Sequence, residues 1–126
     1  MRWSDSRGNT LTGAIDNILV RNNRLIVLYY KTRGFELKDD THTHYQSQID
    51  IYNLLLEKSG YATEKYGFLP FYVPDKVEKD GSVIFKTTLK KMRVDKRNAL
   101  RLFNRAIRLL EGRCPKKGCE WCERVG

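Results

Sequence analysis

An acid and a lysine, Asp16 and Lys31, stand where a β-hairpin would bring them onto one face. Two apolar, β-branched runs, Ala14 to Val20 and Leu25 to Tyr30, flank Asn22-Asn23. Asparagine tolerates the positive φ of a tight turn, so this pair predicts a two-residue connection. With Arg21 facing Arg24, counting outward sets Asp16 opposite Tyr29 and Ala14 opposite Lys31. Side chains alternate along a strand, which puts Asp16, Tyr29 and Lys31 on one face, continued by Leu25 and Val27. Ile26, Leu28 and Tyr30 line the other, so both faces are expected to be partly covered. A carboxylate and an ammonium in such a place are costly unless they pair or are put to work.

The arrangement resembles the core of the PD-(D/E)XK nucleases, in particular the RecB-like branch of CRISPR-associated and recombination exonucleases. There the first acid sits in a Gly-x-Ile-Asp strand and the next strand reads acid-Tyr-Lys-Thr. Gly13 to Asp16 matches the first motif and Tyr30-Lys31-Thr32 the end of the second, whereas Tyr29 takes the place of the second acid. A neutral phenol is a poor substitute for a carboxylate ligand of a hard cation. The resemblance extends through Gln48 and Tyr52, which match a Gln-x-x-x-Tyr helix and lie one turn apart on a helical face.

The resemblance implies hydrolysis of phosphodiester bonds in DNA, with single strands as the expected substrate and magnesium or manganese held by Asp16 and a second carboxylate. The metal activates water and stabilises charge growing on the scissile phosphate, and Lys31 orients water or supports that charge. Gln48 would position water or a phosphate, and Tyr52 would pack or hydrogen-bond beside it. Tyr29 removes a ligand, so weak metal binding and weak or absent cleavage are expected. Three outcomes stay open: an acid such as Glu36 or Asp50 completes the site, the protein is a DNA-binding pseudonuclease, or the gene has decayed. The alternative from another class is a non-catalytic basic nucleic-acid-binding or assembly module in which Asp16 and Lys31 form a structural ion pair.

The tail holds a second signal. Cys119 and Cys122 form a Cys-x-x-Cys, and Cys114 is near enough in sequence to supply a third thiolate. Zinc and iron–sulfur sites both use such ligands, and both need a fourth. RecB-like nucleases often carry a C-terminal cysteine cluster that holds a four-iron cluster with one cysteine upstream, and no upstream cysteine is present here. A metal-free turn, zinc and an iron–sulfur cluster remain alternatives. His42 and His44 would point the same way on a strand, and otherwise are solvated or capping residues.

The formal net charge of +9 over 126 residues suits a polyanion such as DNA. Arg97, Arg101, Arg105 and Arg108 recur at helical spacing as a solvated face or a phosphate-tracking stripe, which Lys86, Lys90, Lys91 and Arg93 could extend. No apolar run approaches the length of a membrane span, and Met1 to Thr10 lack the apolar stretch of a secretory signal. With only three unevenly spaced cysteines, a cytoplasmic location is expected.

The elements that must position these residues follow from pattern. A helix from Thr43 or His44 to about Lys58 should end at Ser59-Gly60. An apolar strand from Tyr66 to Val73 should stop at Pro74-Asp75, with Pro70 marking an edge or a bulge. Ser82 to Val94 alternates, one face being wet, and Asp95 should cap a helix from Lys96 to Glu111 that buries Ala99, Leu100, Phe103, Ala106, Ile107 and Leu110. The expected fold is α/β and restriction-endonuclease-like, one domain over residues 1–126 with a cysteine-containing tail at 113–126. Its mixed sheet has about four strands, the first two antiparallel and the second and third parallel through a helical crossover. Apolar surface left by a missing N-terminal helix could drive formation of a homodimer or a place in a larger nuclease, CRISPR or repair complex.

Overall fold

A computed structural model describes residues 1–114 and 117–125. A small antiparallel ribbon, β1 (Arg2–Ser4) and β2 (Thr10–Thr12), precedes a five-stranded mixed sheet of β3 (Asn17–Arg21), β4 (Arg24–Leu28), β5 (Lys31–Thr32), β6 (Tyr66–Val77) and β7 (Val83–Arg93). A 3-10 helix (Thr41–Tyr45) leads into α1 (Gln46–Lys58), which connects β5 to β6; α2 (Lys96–Glu111) and α3 (Glu120–Val125) follow β7.

The asparagine turn forms as the residue types require. Asn22 and Asn23 both have positive φ, 48° and 59°, and the ladder runs from Arg21↔Arg24 to Asn17↔Leu28. It then stops, because the chain bends at Asp16. Ala14 therefore does not face Lys31, a correction to the simple outward count: β5 pairs with β6, Lys31 opposite Phe71.

Strands β4 and β5 meet the same side of β6 in one parallel register, Leu28↔Phe68 and Lys31↔Phe71, so together they are one interrupted strand. Five strands thus fill four ladder positions. Pro70 explains the interruption. The Tyr29 N–H bonds Phe68 O, and the Arg33 N–H bonds Tyr72 O. In that register the donor to the Tyr29 carbonyl would be the N–H of residue 70, which proline lacks. Pro70 is therefore neither on an edge strand nor at a bulge: it lies inside β6, paired with Leu89 of β7 on the other side. The irregularity of that ladder falls between Pro74 and Lys76, and β6 continues past the expected stop to Val77.

The core lies between this sheet and α1. Val27, Leu69, Phe71 and Met92 of the sheet meet Ile49 and Leu56 of the helix, with Tyr29, Tyr45 and Tyr52 packed around them. Gly67 permits the approach: a Cβ there would lie 2.6 Å from Ile49 Cδ1 and 3.0 Å from Val27 O. Helix α2 packs on α1, burying Ala99, Phe103 and Ile107, and Trp3 of the ribbon stacks against Phe103 with ring centroids 5.3 Å apart. The expected stripe ends early. Ala106 is exposed and Leu110 is 84% exposed.

Strand β7 turns its mixed polar row toward α1 and leaves an apolar row exposed. Thr88 and Lys90 are half-buried and Met92 buried on the α1 side, while the apolar Phe85 and Leu89 are exposed on the other. No helix among the described residues is long and apolar enough to cross a membrane.

Candidate functional site

The α1 side of the interrupted strand carries Val27, Tyr29 and Lys31 in sequence, beside Gly67, Leu69 and Phe71 of β6. Lys31 Nζ donates to Tyr29 Oη at 2.7 Å. It also lies 4.0 Å from the centre of the Tyr29 ring and 4.6 Å from that of Tyr45, so two aromatic faces and a phenol oxygen hold the charge. Tyr29 in turn meets Tyr52 edge-on, centroids 5.4 Å apart. Gln48 Nε2 donates to Tyr52 Oη at 3.0 Å, as the one-turn spacing on α1 requires. Lys31, Tyr29, Tyr52 and Gln48 therefore form a connected chain of contacts.

Asp16 is placed at the bend immediately beyond the last hairpin pair, as Tyr29 is on the other strand. Its neighbour Ile15 packs on the core, and Asp16 itself is exposed. Among the described residues Asp16 and Lys31 make no ion pair, unlike in the alternative reading of a structural pair; the Lys31 ammonium turns to Tyr29 instead.

Further along the same side of the sheet, Lys86 and Lys90 line a pocket of about 220 Å³ with Glu36, Asp39 and Asp75. Glu36 is thus on the Lys31 side of the molecule. Asp50 is not available to a site. It is fully buried and accepts from Gln46 Nε2 at 2.8 Å, from the Asp95 N–H at 2.8 Å and from Asn98 Nδ2 at 2.7 Å, fastening the start of α2 to α1. Asp95 caps α2 as its residue type foretells, and the Arg97 N–H that it accepts holds its carboxyl below the usual carboxylate range.

These donors do not fit a divalent cation. A hard ion takes several oxygen ligands, and the described residues contain no group of three or more His, Cys, Asp or Glu side chains able to hold one. Asp16 offers a single carboxylate, and its strand partner position offers a phenol engaged with Lys31.

Among the described residues the tail cysteines form no group of three or more ligands. Cys119 and Cys122 lie with sulfurs 3.8 Å apart at the start of α3, and Cys114, also free and exposed, does not join them in a ligand group. Backbone N–H groups of Cys122 and Trp121 hold the Cys119 thiol below its ordinary pKa. His42 and His44 sit in the 3-10 helix, not on a strand, so their side chains do not point the same way.

Arg97, Arg101, Arg105 and Arg108 are all exposed on α2. Arg97 and Arg101 line a large cleft that sequence spacing alone does not reveal, because its other walls come from distant segments. Tyr45 and Asp50 were likewise illegible as site and latch residues: the cation and the donors that define them come from other elements.

No curated protein matches the chain. The crystal structure of SSO0001 is similar, with 21% identity and a TM-score of 0.46, over 82% of this chain and 42% of that chain. The present chain accordingly spans less than half the length of that protein. The profile of the PD-(D/E)XK nuclease superfamily matches residues 3–124, and with nearly the whole length covered the chain belongs to that superfamily.

Proposed function

We propose that this is a RecB-like member of the superfamily that engages single-stranded DNA and whose phosphodiester hydrolysis is disabled by Tyr29. The observation that carries the reading is the 2.7 Å hydrogen bond from Lys31 to Tyr29. A lysine at the motif position faces a phenol where a working member would place its second carboxylate. A phenol is a poorer ligand for a hard cation than a carboxylate is. Asp16, Lys31, Gln48 and Tyr52 retain the remaining motif positions. In this reading Lys31 contributes positive charge toward a phosphate, and Gln48 holds Tyr52 so that its ring fixes Tyr29. Glu36, across the Lys31 side, is the acid left to supplement Asp16.

The test is a manganese titration followed by thermal unfolding. A ligand that binds only the folded protein raises its stability. The unaltered protein should show little or no shift, and the Tyr29→Asp variant a clear one. A large shift in the unaltered protein that is lost in Asp16→Asn would overturn the reading.

A further inference from the structure

The end of the sheet opposite the Lys31 motif holds an open cleft of about 1110 Å³. Its walls come from the hairpin turn, the loop before β6, the end of β7, and the first turns of α2 against α1. Six cations line it: Arg24, Lys65, Arg93, Lys96, Arg97 and Arg101. Four carboxylates share the lining, but three are already committed. Asp50 is saturated by its three donors, Asp95 caps α2 and pairs with Arg97 at 3.4 Å, and Glu57 pairs with Lys96 at 3.1 Å. Only Glu64 remains to offset Arg24, Lys65, Arg93 and Arg101, none of which makes an ion pair among the described residues. Arg24 donates to Thr63 O and Arg101 to Asn98 Oδ1, contacts that leave the guanidinium charges uncompensated.

We infer that this cleft is a phosphate-backbone binding site, remote from the Lys31 motif, for a single-stranded nucleic acid. The inference rests on the nucleic-acid reading above and adds where the strand is held. Guanidinium groups offer paired donors that match phosphate oxygens, and several converging cations in a concave wall favour a polyanion over a single anion. The site does not rest on the start of α2, where the Asp95 and Arg97 N–H groups already donate to Asp50 and Asp95. Arg24 stands seven residues before Lys31 along the interrupted strand, or about 23 Å at the usual strand rise. A strand reaching both places spans several nucleotides, so the cleft would hold DNA whether or not chemistry occurs at the motif. It also divides the α2 arginines: Arg97 and Arg101 belong to the cleft, and Arg105 and Arg108 lie outside its lining.

The experiment is fluorescence anisotropy with a labelled oligothymidylate in EDTA, over a series of salt concentrations. The variant Lys65→Gln/Arg93→Gln/Arg101→Gln removes three exposed side chains and should weaken binding about tenfold or more. It should also flatten the dependence of log affinity on log salt by about 2, since each phosphate contact on a single strand contributes about 0.7. Arg105→Gln/Arg108→Gln should change affinity less than about twofold. Thermal unfolding monitors integrity, and if the triple variant is unfolded, Lys65→Glu and Arg101→Glu taken singly should each weaken binding. Retained affinity in the cleft variants, or an equal loss in the Arg105/Arg108 variant, overturns the assignment while leaving the nucleic-acid reading in place. Displacement of the oligonucleotide by equimolar pyrophosphate also overturns it, marking a small-phosphate pocket. If the unaltered protein does not bind the oligonucleotide even at low salt, both readings fail.

Discussion

Lys31 and Tyr29, two residues apart on one face of the interrupted strand, are joined by a 2.7 Å hydrogen bond between ammonium and phenol oxygen. The contact satisfies a charge that would otherwise be stranded on a half-buried strand face. Tyr29→Phe keeps the ring, and with it the stacking on Tyr52 and the cation–π contact, while removing the acceptor. The expected loss is about 0.5–1.5 kcal/mol in urea-induced unfolding. An unchanged or increased stability would show that the bond is not what holds Lys31.

Asp50 supports a larger prediction. It is fully buried, and three donors on α1, at the α2 cap and on α2 converge on its carboxylate. Asp50→Ala leaves the Asp95 N–H and Asn98 Nδ2 without their acceptor at the helix junction, while Gln46 keeps its bond to Arg93 O, and should cost about 2–4 kcal/mol. Equilibrium denaturation measures it, and a loss below about 0.5 kcal/mol would refute the latch.

Gly67 tests the packing of α1 on the sheet. A methyl group there meets Ile49 Cδ1 at 2.6 Å and the Val27 carbonyl oxygen at 3.0 Å, and backbone cannot yield as a side chain can. Gly67→Ala should destabilise by about 1–3 kcal/mol, as overpacking does. The double variant Gly67→Ala/Ile49→Val should recover part of that loss, and no recovery would place the strain elsewhere.

Cys119 should react with alkylating agents at lower pH than an ordinary thiol does. Its pKa is lowered, chiefly by the Cys122 N–H, so its thiolate persists to lower pH than an ordinary thiol allows. The alkylation rate of Cys119 should therefore rise through a midpoint below the usual thiol value of about 8.5, and in denaturant the midpoint should return to it. Peptide mass spectrometry after timed iodoacetamide treatment reads each cysteine. A Cys119 midpoint that denaturant does not move would contradict the backbone contacts.

Much of the fold was legible because local chemistry dictates it. Asn22-Asn23 can adopt the turn at little cost, Asp95 can cap, and Gln48 and Tyr52 share a helical face by spacing alone. The errors arose where a distant segment decides. The bend at Asp16 ended the hairpin ladder before Ala14 could face Lys31, and Pro70 sits inside β6 because the strand beside it gives up a bond at Tyr29. Alternation in β7 located two faces without saying which one α1 covers. At the candidate site, motif spacing singled out Asp16, Lys31, Gln48 and Tyr52, but the direction of the Lys31 charge depends on Tyr29 and on Tyr45 from the 3-10 helix. The basic cleft has no local signature, since Arg24, Lys65, Arg93 and Arg101 come together only in the folded chain.

The central claim is that a phenol in place of a carboxylate disables hydrolysis. Its most direct measurement is cleavage of labelled single-stranded DNA with manganese, comparing the unaltered protein, Tyr29→Asp, and Tyr29→Asp combined with Lys31→Ala. Weak or absent cleavage by the first, gain of activity in the second and its loss in the third are expected. Strong manganese-dependent cleavage by the unaltered protein would contradict the account.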